Sequence, residues 1–202
     1  VSITNGYITL ATLKAELQID DGLDDVRLEL SVSSASRQID AHCGRVFWSE
    51  SELATRFYNV AEPMVADVLD IALRTGLVVS IDEDDDGGFS TTLTETIDFI
   101  LEPLNAEYLT PRQPWDRITL VDNYRYPMKR RPGLRVTAVH GYPAVPDAVS
   151  SACLIQAKNI YKVTGSGVFG SMQISVDGIP MRIPALDYVA IGLLEPFRKM
   201  EV

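Results

Sequence analysis

The chain has 202 residues, 46% of them hydrophobic, and a formal net charge of −10 from 28 acidic and 18 basic side chains. That is enough chain to fold round a core without staples, and the acidic balance argues against non-specific nucleic-acid binding, which depends on Lys and Arg displacing counterions. The charge suits a protein that DNA slides past without sticking, and suits plain solubility equally. No apolar run is long enough to cross a bilayer and no basic-then-apolar leader is seen, so no membrane partner is expected. Val1 is expected to follow a removed initiator methionine.

Thr9 is positioned to cap a first helix that carries Leu10, Leu13 and Leu17 on one face. Turn chemistry at Ile19-Asp20-Asp21-Gly22 ends it, and Asp24 or Asp25 starts a second helix reaching Cys43. Along that helix Leu28, Val32, Ala35, Ile39 and His42 or Cys43 form a narrow seam for another helix. Gly44 is its natural stop.

From Val46 the pattern shortens into strands. Arg56 to Val60 and Val65 to Ile71 are the first, the latter with a helix as the alternative. Leu77 to Ile81 has the strongest strand pattern. An acidic turn, Asp82 to Gly88, leads to a partly exposed strand over Ser90 to Ile100, where Thr alternates with Leu, Ile and Phe. Arg117 to Val121 and Leu134 to Val139 follow, joined by a tip holding Pro127, a basic trio and Pro132-Gly133.

Pro143 and Pro146 forbid any continuing ladder. Asp147 then opens a third helix near 146–164 as its N-cap or first-turn acid. Its apolar stripe is Val149, Ala152, Cys153, Ala157, Ile160 and Tyr161. Ser150, Ser151, Gln156, Lys158, Asn159 and Lys162 fall on the remaining faces. This helix is made for packing and carries no acid, base or nucleophile cluster. Beyond Gly165 the pattern predicts a strand at Gln173 to Val176, a turn at Asp177-Gly178 and a short helix from Leu186 to Phe197. The fold class is therefore α+β: a small helical body from 1–45 and 141–165, a β-rich insertion from 46–140, and an extended C-terminal tail from 166–202.

Chemistry-bearing patterns are sparse. Asp82, Asp84, Asp86 and Gly87 match the opening of a calcium-binding EF-hand loop, but Leu93 stands where the bidentate Glu belongs and a strand precedes the run. A solvated hairpin turn is the expectation, with Gly87 and Gly88 supplying positive φ. Lys129, Arg130 and Arg131, near Tyr124, Tyr126 and Trp115, form the basic cluster. The trio reads as a solvated hairpin tip, or as a contact for a phosphate, a partner, or a neighbouring copy's acidic turn. His42 and His140 lack the company that catalysis or metal binding requires and read as core or boundary residues. Cys43 and Cys153 are expected as free core thiols in a reducing compartment rather than a disulfide. No cofactor or metal is expected.

The order of these segments resembles the head-tail connector (adaptor, or head-completion) proteins of long-tailed bacteriophages. Tyr7 to Leu17, Asp24-Asp25 and Ile39 to Arg45 are similar to that family's opening helix pair. Asp98 to Ala106 with Arg117 to Val121 is similar to β-insertions of some members. Gly141 to Lys162 and Leu193-Leu194-Glu195-Pro196-Phe197-Arg198 complete the likeness. It spans most of the chain, and it rests on packing and turn residues whose order carries it. The Asp82 to Asp86 run and the Tyr124 to Pro132 tip depart from it. The resemblance implies a non-enzymatic virion protein of the neck, assembled in the host cytoplasm. It implies a homo-oligomeric ring, typically of twelve copies, seated on the portal protein and offering a platform to a stopper or tail-terminator protein. Double-stranded DNA would pass through a negative annulus without sequence-specific binding. Lys129, Arg130, Arg131, Leu193, Leu194, Phe197 and Arg198 are the candidate subunit and partner contacts, and the tail is expected to dock on a partner. The alternatives are another neck component (a stopper or tail-completion protein), a small enzyme with a site assembled only in three dimensions, and a calcium-dependent binding module.

Overall fold

The computed structural model describes residues 3–84, 86–121, 125–127, 131–165, 172–174, 180–182 and 185–199. The chain divides into two compact units, one built from residues 1–46 and 145–202, the other from 47–144.

The first unit is helical. Helix α1 spans Leu10–Leu17, with the Thr9 hydroxyl accepting the Thr12 N–H at 3.1 Å. It stops at Gln18, which takes the left-handed conformation at φ 56, one turn before the expected glycine. Helix α2 spans Asp25–Cys43 and ends on Gly44, at φ 64, whose N–H reaches the Asp40 carbonyl at 2.9 Å. Asp24 occupies the N-cap position without capping; its carboxylate accepts the Tyr161 hydroxyl at 2.7 Å and pairs with Arg27 at 3.3 Å. The seam of Leu28, Val32, Ala35, Ile39 and Cys43 is fully buried. Ser31 and Ser36 lie in the same stripe and donate to the Arg27 and Val32 carbonyls, so burial costs them no hydrogen bond.

Helix α3, Asp147–Gly165, packs on that seam through Val149, Ala152, Cys153 and Ala157. Small side chains at Ala35, Ala152 and Ala157 let the helices approach closely. One residue departs from the expected pattern. Gln156 lies in the buried stripe, not on a polar face. Its Nε2 donates to Gln38 Oε1 at 2.7 Å and to the Ala185 carbonyl at 2.9 Å, and its Oε1 accepts the Asp187 N–H at 3.1 Å. Periodicity sorts residues by polarity, and a satisfied amide defeats that sorting. Gln156 thereby fixes the start of helix α4, Tyr188–Leu194, which Asp187 caps on the Val189 N–H at 2.8 Å. Gln156→Ala is expected to lose about 1–3 kcal/mol of stability. It should raise amide exchange in α4 more than in α2, and equal protection of α4 in both proteins would contradict the role.

Helix α4 packs on α3 and runs into a 3₁₀ turn at Glu195–Phe197, so the end of the tail is part of the helical unit. The Lys199 N–H reaches the Cys43 carbonyl at 2.8 Å. A two-stranded antiparallel pair forms the remaining described part of the tail; its strands, Met172–Ile174 and Pro180–Arg182, are numbered β7 and β8 after those of the second unit. The expected Asp177-Gly178 turn lies outside the described residues.

The second unit is a six-stranded antiparallel sheet. Its strands are β1 (Ala54–Tyr58), β2 (Val65–Ile81), β3 (Thr91–Leu93), β4 (Phe99–Glu102), β5 (Trp115–Leu120) and β6 (Leu134–His140). The order is β1-β6-β2-β5-β4, with β3 paired to the end of β2. The segments expected as separate strands at 65–71 and 77–81 are one long strand, and the helix alternative for the first is overturned. Leu73 pairs with Val139 and Val78 with Thr137, so Arg74 to Leu77 bulge opposite the single residue Ala138. Gly76, at φ 79, permits the excursion, and its exposed polar residues imitate a turn in the sequence. The strand expected over 90–100 is also corrected: a turn at Thr94 to Asp98 separates β3 from β4. There Thr96 takes φ 70 and the Asp98 carboxylate accepts the Thr94 N–H at 2.7 Å. The first strand is Ala54–Tyr58, shifted two residues from the expected Arg56 to Val60.

Strand β6 turns Leu134, Val136, Ala138 and His140 inward, and Phe99, Leu101, Trp115, Ile118 and Leu120 fill the core against them. At the base of the unit Ser49 bridges Gly141, the Glu50 N–H reaches the His140 carbonyl at 2.8 Å, and the Phe47 and Tyr142 rings meet at 5.2 Å.

Candidate functional site

The acidic turn and the basic tip are neighbours in the sheet unit because β2 runs antiparallel to β6, with Ile81 opposite Leu134. The Asp82 N–H reaches the Gly133 carbonyl at 3.1 Å. A Cβ built on Gly87 would stand 3.8 Å from the Arg131 guanidinium, so Arg131 lies beside the acidic turn of its own chain. Lys129, Arg130 and Tyr124 lie outside the described residues.

Within the turn two carboxylates serve its own backbone, and Glu83 accepts the Thr91 hydroxyl at 3.2 Å. Asp82 Oδ2 accepts the Gly87 N–H at 3.0 Å, and Asp86 Oδ1 accepts the Gly88 N–H at 2.6 Å. Gly87 supplies positive φ, at 87, as expected; Gly88 does not. Among the described residues no group of three or more His, Cys, Asp or Glu side chains is placed to hold a metal ion.

Of the tail residues, Leu194 and Phe197 are buried within the helical unit, Leu193 is half-buried and Arg198 is exposed. Cys43 and Cys153 are free and buried. Burial pushes the Cys43 thiol up to about 11 and raises that of Cys153, so neither is a thiolate near neutrality. His42 is half-buried at the end of α2, and His140 is buried in the sheet unit.

Burial, followed by the Arg56 charge, lowers the His140 pKa against an opposing pull from Glu50. The folded ring therefore takes up its proton less readily than the unfolded one. Stability is whole above the ordinary histidine range near pH ~6.5 and falls as the pH drops through it towards the lowered value. The melting temperature of the sheet unit is expected to fall between pH 7.5 and 5 by more in the native chain than in His140→Gln. Equal falls would contradict the assignment.

Hydropathy patterning missed several exposed apolar groups. Val26 and Leu30 lie on the outer side of α2, and Leu23 stands on the turn before it. Leu104, Tyr108 and Leu109 stand on the loop between β4 and β5. Phe57, Leu73 and Val78 are exposed on β1 and β2. Alternation shows that a strand has two faces but not which of them meets water, so only the structure reveals these groups. Among the described residues no helix is long and apolar enough to cross a membrane. What the surface offers is contact area.

The fold is an α+β arrangement in which a helical unit, closed by the chain's two ends, carries an antiparallel β unit between its second and third helices. Chains in the neck and virion of gene transfer agent particles share it. One, from the neck of the empty particle computed with C6 symmetry, has a TM-score of 0.60 at 13% identity and is matched over 100% of this chain and 94% of that one. Another, from the neck of the native particle computed with C12 symmetry, gives 0.57 at 15% identity with the same coverage. A third, from the virion of the native particle, gives 0.57 at 13%, again over 100% and 94%. No protein-family model and no curated protein matches the sequence.

Proposed function

We propose that the chain is a structural component of the neck of a phage-like particle, a head-to-tail connector (adaptor) that forms a ring beneath the portal. The observation that carries this reading is the fold itself, matched end to end by chains from necks computed with C6 and C12 symmetry. A ring of twelve copies fits both symmetries. In this reading the portal protein lies on one side, a stopper or tail-terminator protein on the other, and DNA passes through without sequence-specific contact. The net charge of −10 per copy favours free passage by repelling phosphate. Exposed Arg131 and Arg198, with Lys129, Arg130 and half-buried Leu193, would meet neighbours, while buried Leu194 and Phe197 hold the helix that presents them. The role requires no catalytic residue.

Omitting the chain from assembling particles is expected to leave DNA-filled heads without tails. Complete tailed particles formed in its absence would overturn the reading.

A further inference from the structure

We infer that the outer face of the β1–β6–β2 part of the sheet is an interface covered by a second copy of this chain. The inference takes its occupant from the ring reading above. The face itself is argued from the residues.

Pairing fixes which side chains share this face. Thr55 stands opposite Thr137, which stands opposite Val78; Phe57 stands opposite Arg135, which stands opposite Ser80. Leu73 joins them beside Val139. Phe57 is 56% exposed, Val78 43% and Leu73 38%, and Leu53, packed near Gly76 just before β1, is 51% exposed. Exposed apolar side chains thus flank β6 on both sides, from β1 and from β2, and apolar surface gathered on one face marks a contact site.

The hydroxyl groups among them are already partnered, and Arg135 is held in place. The Thr55 and Thr137 hydroxyls pair at 2.8 Å. Arg135 donates to Ser80 Oγ and to the Phe89 carbonyl, both at 3.3 Å, and its guanidinium lies over the Phe89 ring at 5.2 Å. Phe89 in turn packs on Phe57 at 5.3 Å. Covering the threonine pair strands no donor or acceptor, while Arg135, whose two bonds here both run through Nη2, keeps donors for a partner's carboxylate.

Charge selects the occupant. Where β2 pairs with β6 the outward paired residues include no carboxylate and one cation, Arg135; farther along β2 the exposed Asp67 is already paired with Arg117 at 3.0 Å. Charge depletion at the centre marks an interface core. A single arginine is too little for a nucleic acid, whose binding needs several phosphate contacts, but it complements the acidic surface of another copy. Cyclic rings of more than two members join by heterologous contacts, so this face meets a different surface of its neighbour.

The test uses the full chain in sedimentation across a concentration series, with Phe57→Asp, Val78→Asp and the conservative Val78→Leu. The native chain and Val78→Leu are expected to self-associate, while each aspartate weakens association about tenfold or more. Val78 points outward, so its aspartate variant should keep the native melting temperature. A native chain that stays monomeric at every concentration, both alone and mixed with the portal protein, overturns the inference. So does association that both aspartates leave unchanged, and so does loss of binding to the portal or stopper alone. The neck reading is judged separately: tailed particles formed without the chain overturn that reading whether or not these substitutions weaken self-association.

Discussion

Gly141→Ala is expected to destabilise the sheet unit by roughly 3 kcal/mol or more, through backbone strain and steric overlap together. Gly141 adopts φ 113, a conformation that L side chains rarely take. A Cβ there would stand 2.0 Å from the Trp48 carbonyl oxygen and 2.8 Å from Ser49 Cα. Both are backbone atoms, so no rotamer change relieves the overlap. The strand end would have to move, breaking the Ser49 bridge and the bond from the Tyr142 N–H to the Trp48 carbonyl. The Gly141 N–H itself holds the Asp70 carbonyl at 2.7 Å, anchoring β2 at the same point. Both tryptophans, Trp48 and Trp115, lie in this unit, so denaturant unfolding followed by tryptophan fluorescence reports it directly. An unchanged midpoint would show that the base of the unit is looser than described.

Trp115→Ala is expected to cost about 3–5 kcal/mol, the range for emptying a large aromatic from a packed core. Trp115 opens β5, is fully buried, and is among the largest side chains of the sheet core. Its ring also seats the Arg74 guanidinium at 4.9 Å, which reaches Glu95 at 3.3 Å and Glu107 at 4.0 Å. Losing the ring therefore opens a cavity and releases the residue that ties the β2 bulge to the loops around β4. Trp115→Phe should recover part of the loss. Thermal and denaturant unfolding of both variants checks this, and a cost below about 1 kcal/mol for the alanine would contradict the packing.

The helical unit was the more legible half of the sequence because its signals are local. Thr9 caps, Gly44 stops, and the Leu28 to Ile39 seam repeats at helical spacing. The sheet was legible in kind but not in its joints. The Arg74-Thr75-Gly76 bulge carries turn-like residues inside a strand, and the Thr94 to Asp98 turn carries strand-like alternation. In both places tertiary pairing overrides local pattern. Polarity alone puts Gln156 on an outer face, because its burial depends on partners at Gln38, Ala185 and Asp187 that no periodicity reveals. The contact surface was the least legible part. Leu194 and Phe197 look like a free apolar tail until α4 is seen docked on α3, whereas Phe57 and Val78 look like ordinary strand residues until the sheet leaves them outside.

The central claim is that this chain builds a ring in a particle's neck. Electron microscopy of the purified chain, alone and mixed with the portal protein, tests it most directly. Closed rings with an open central channel, formed alone or on the portal, are the expected result. Particles that remain single subunits under both conditions would contradict it.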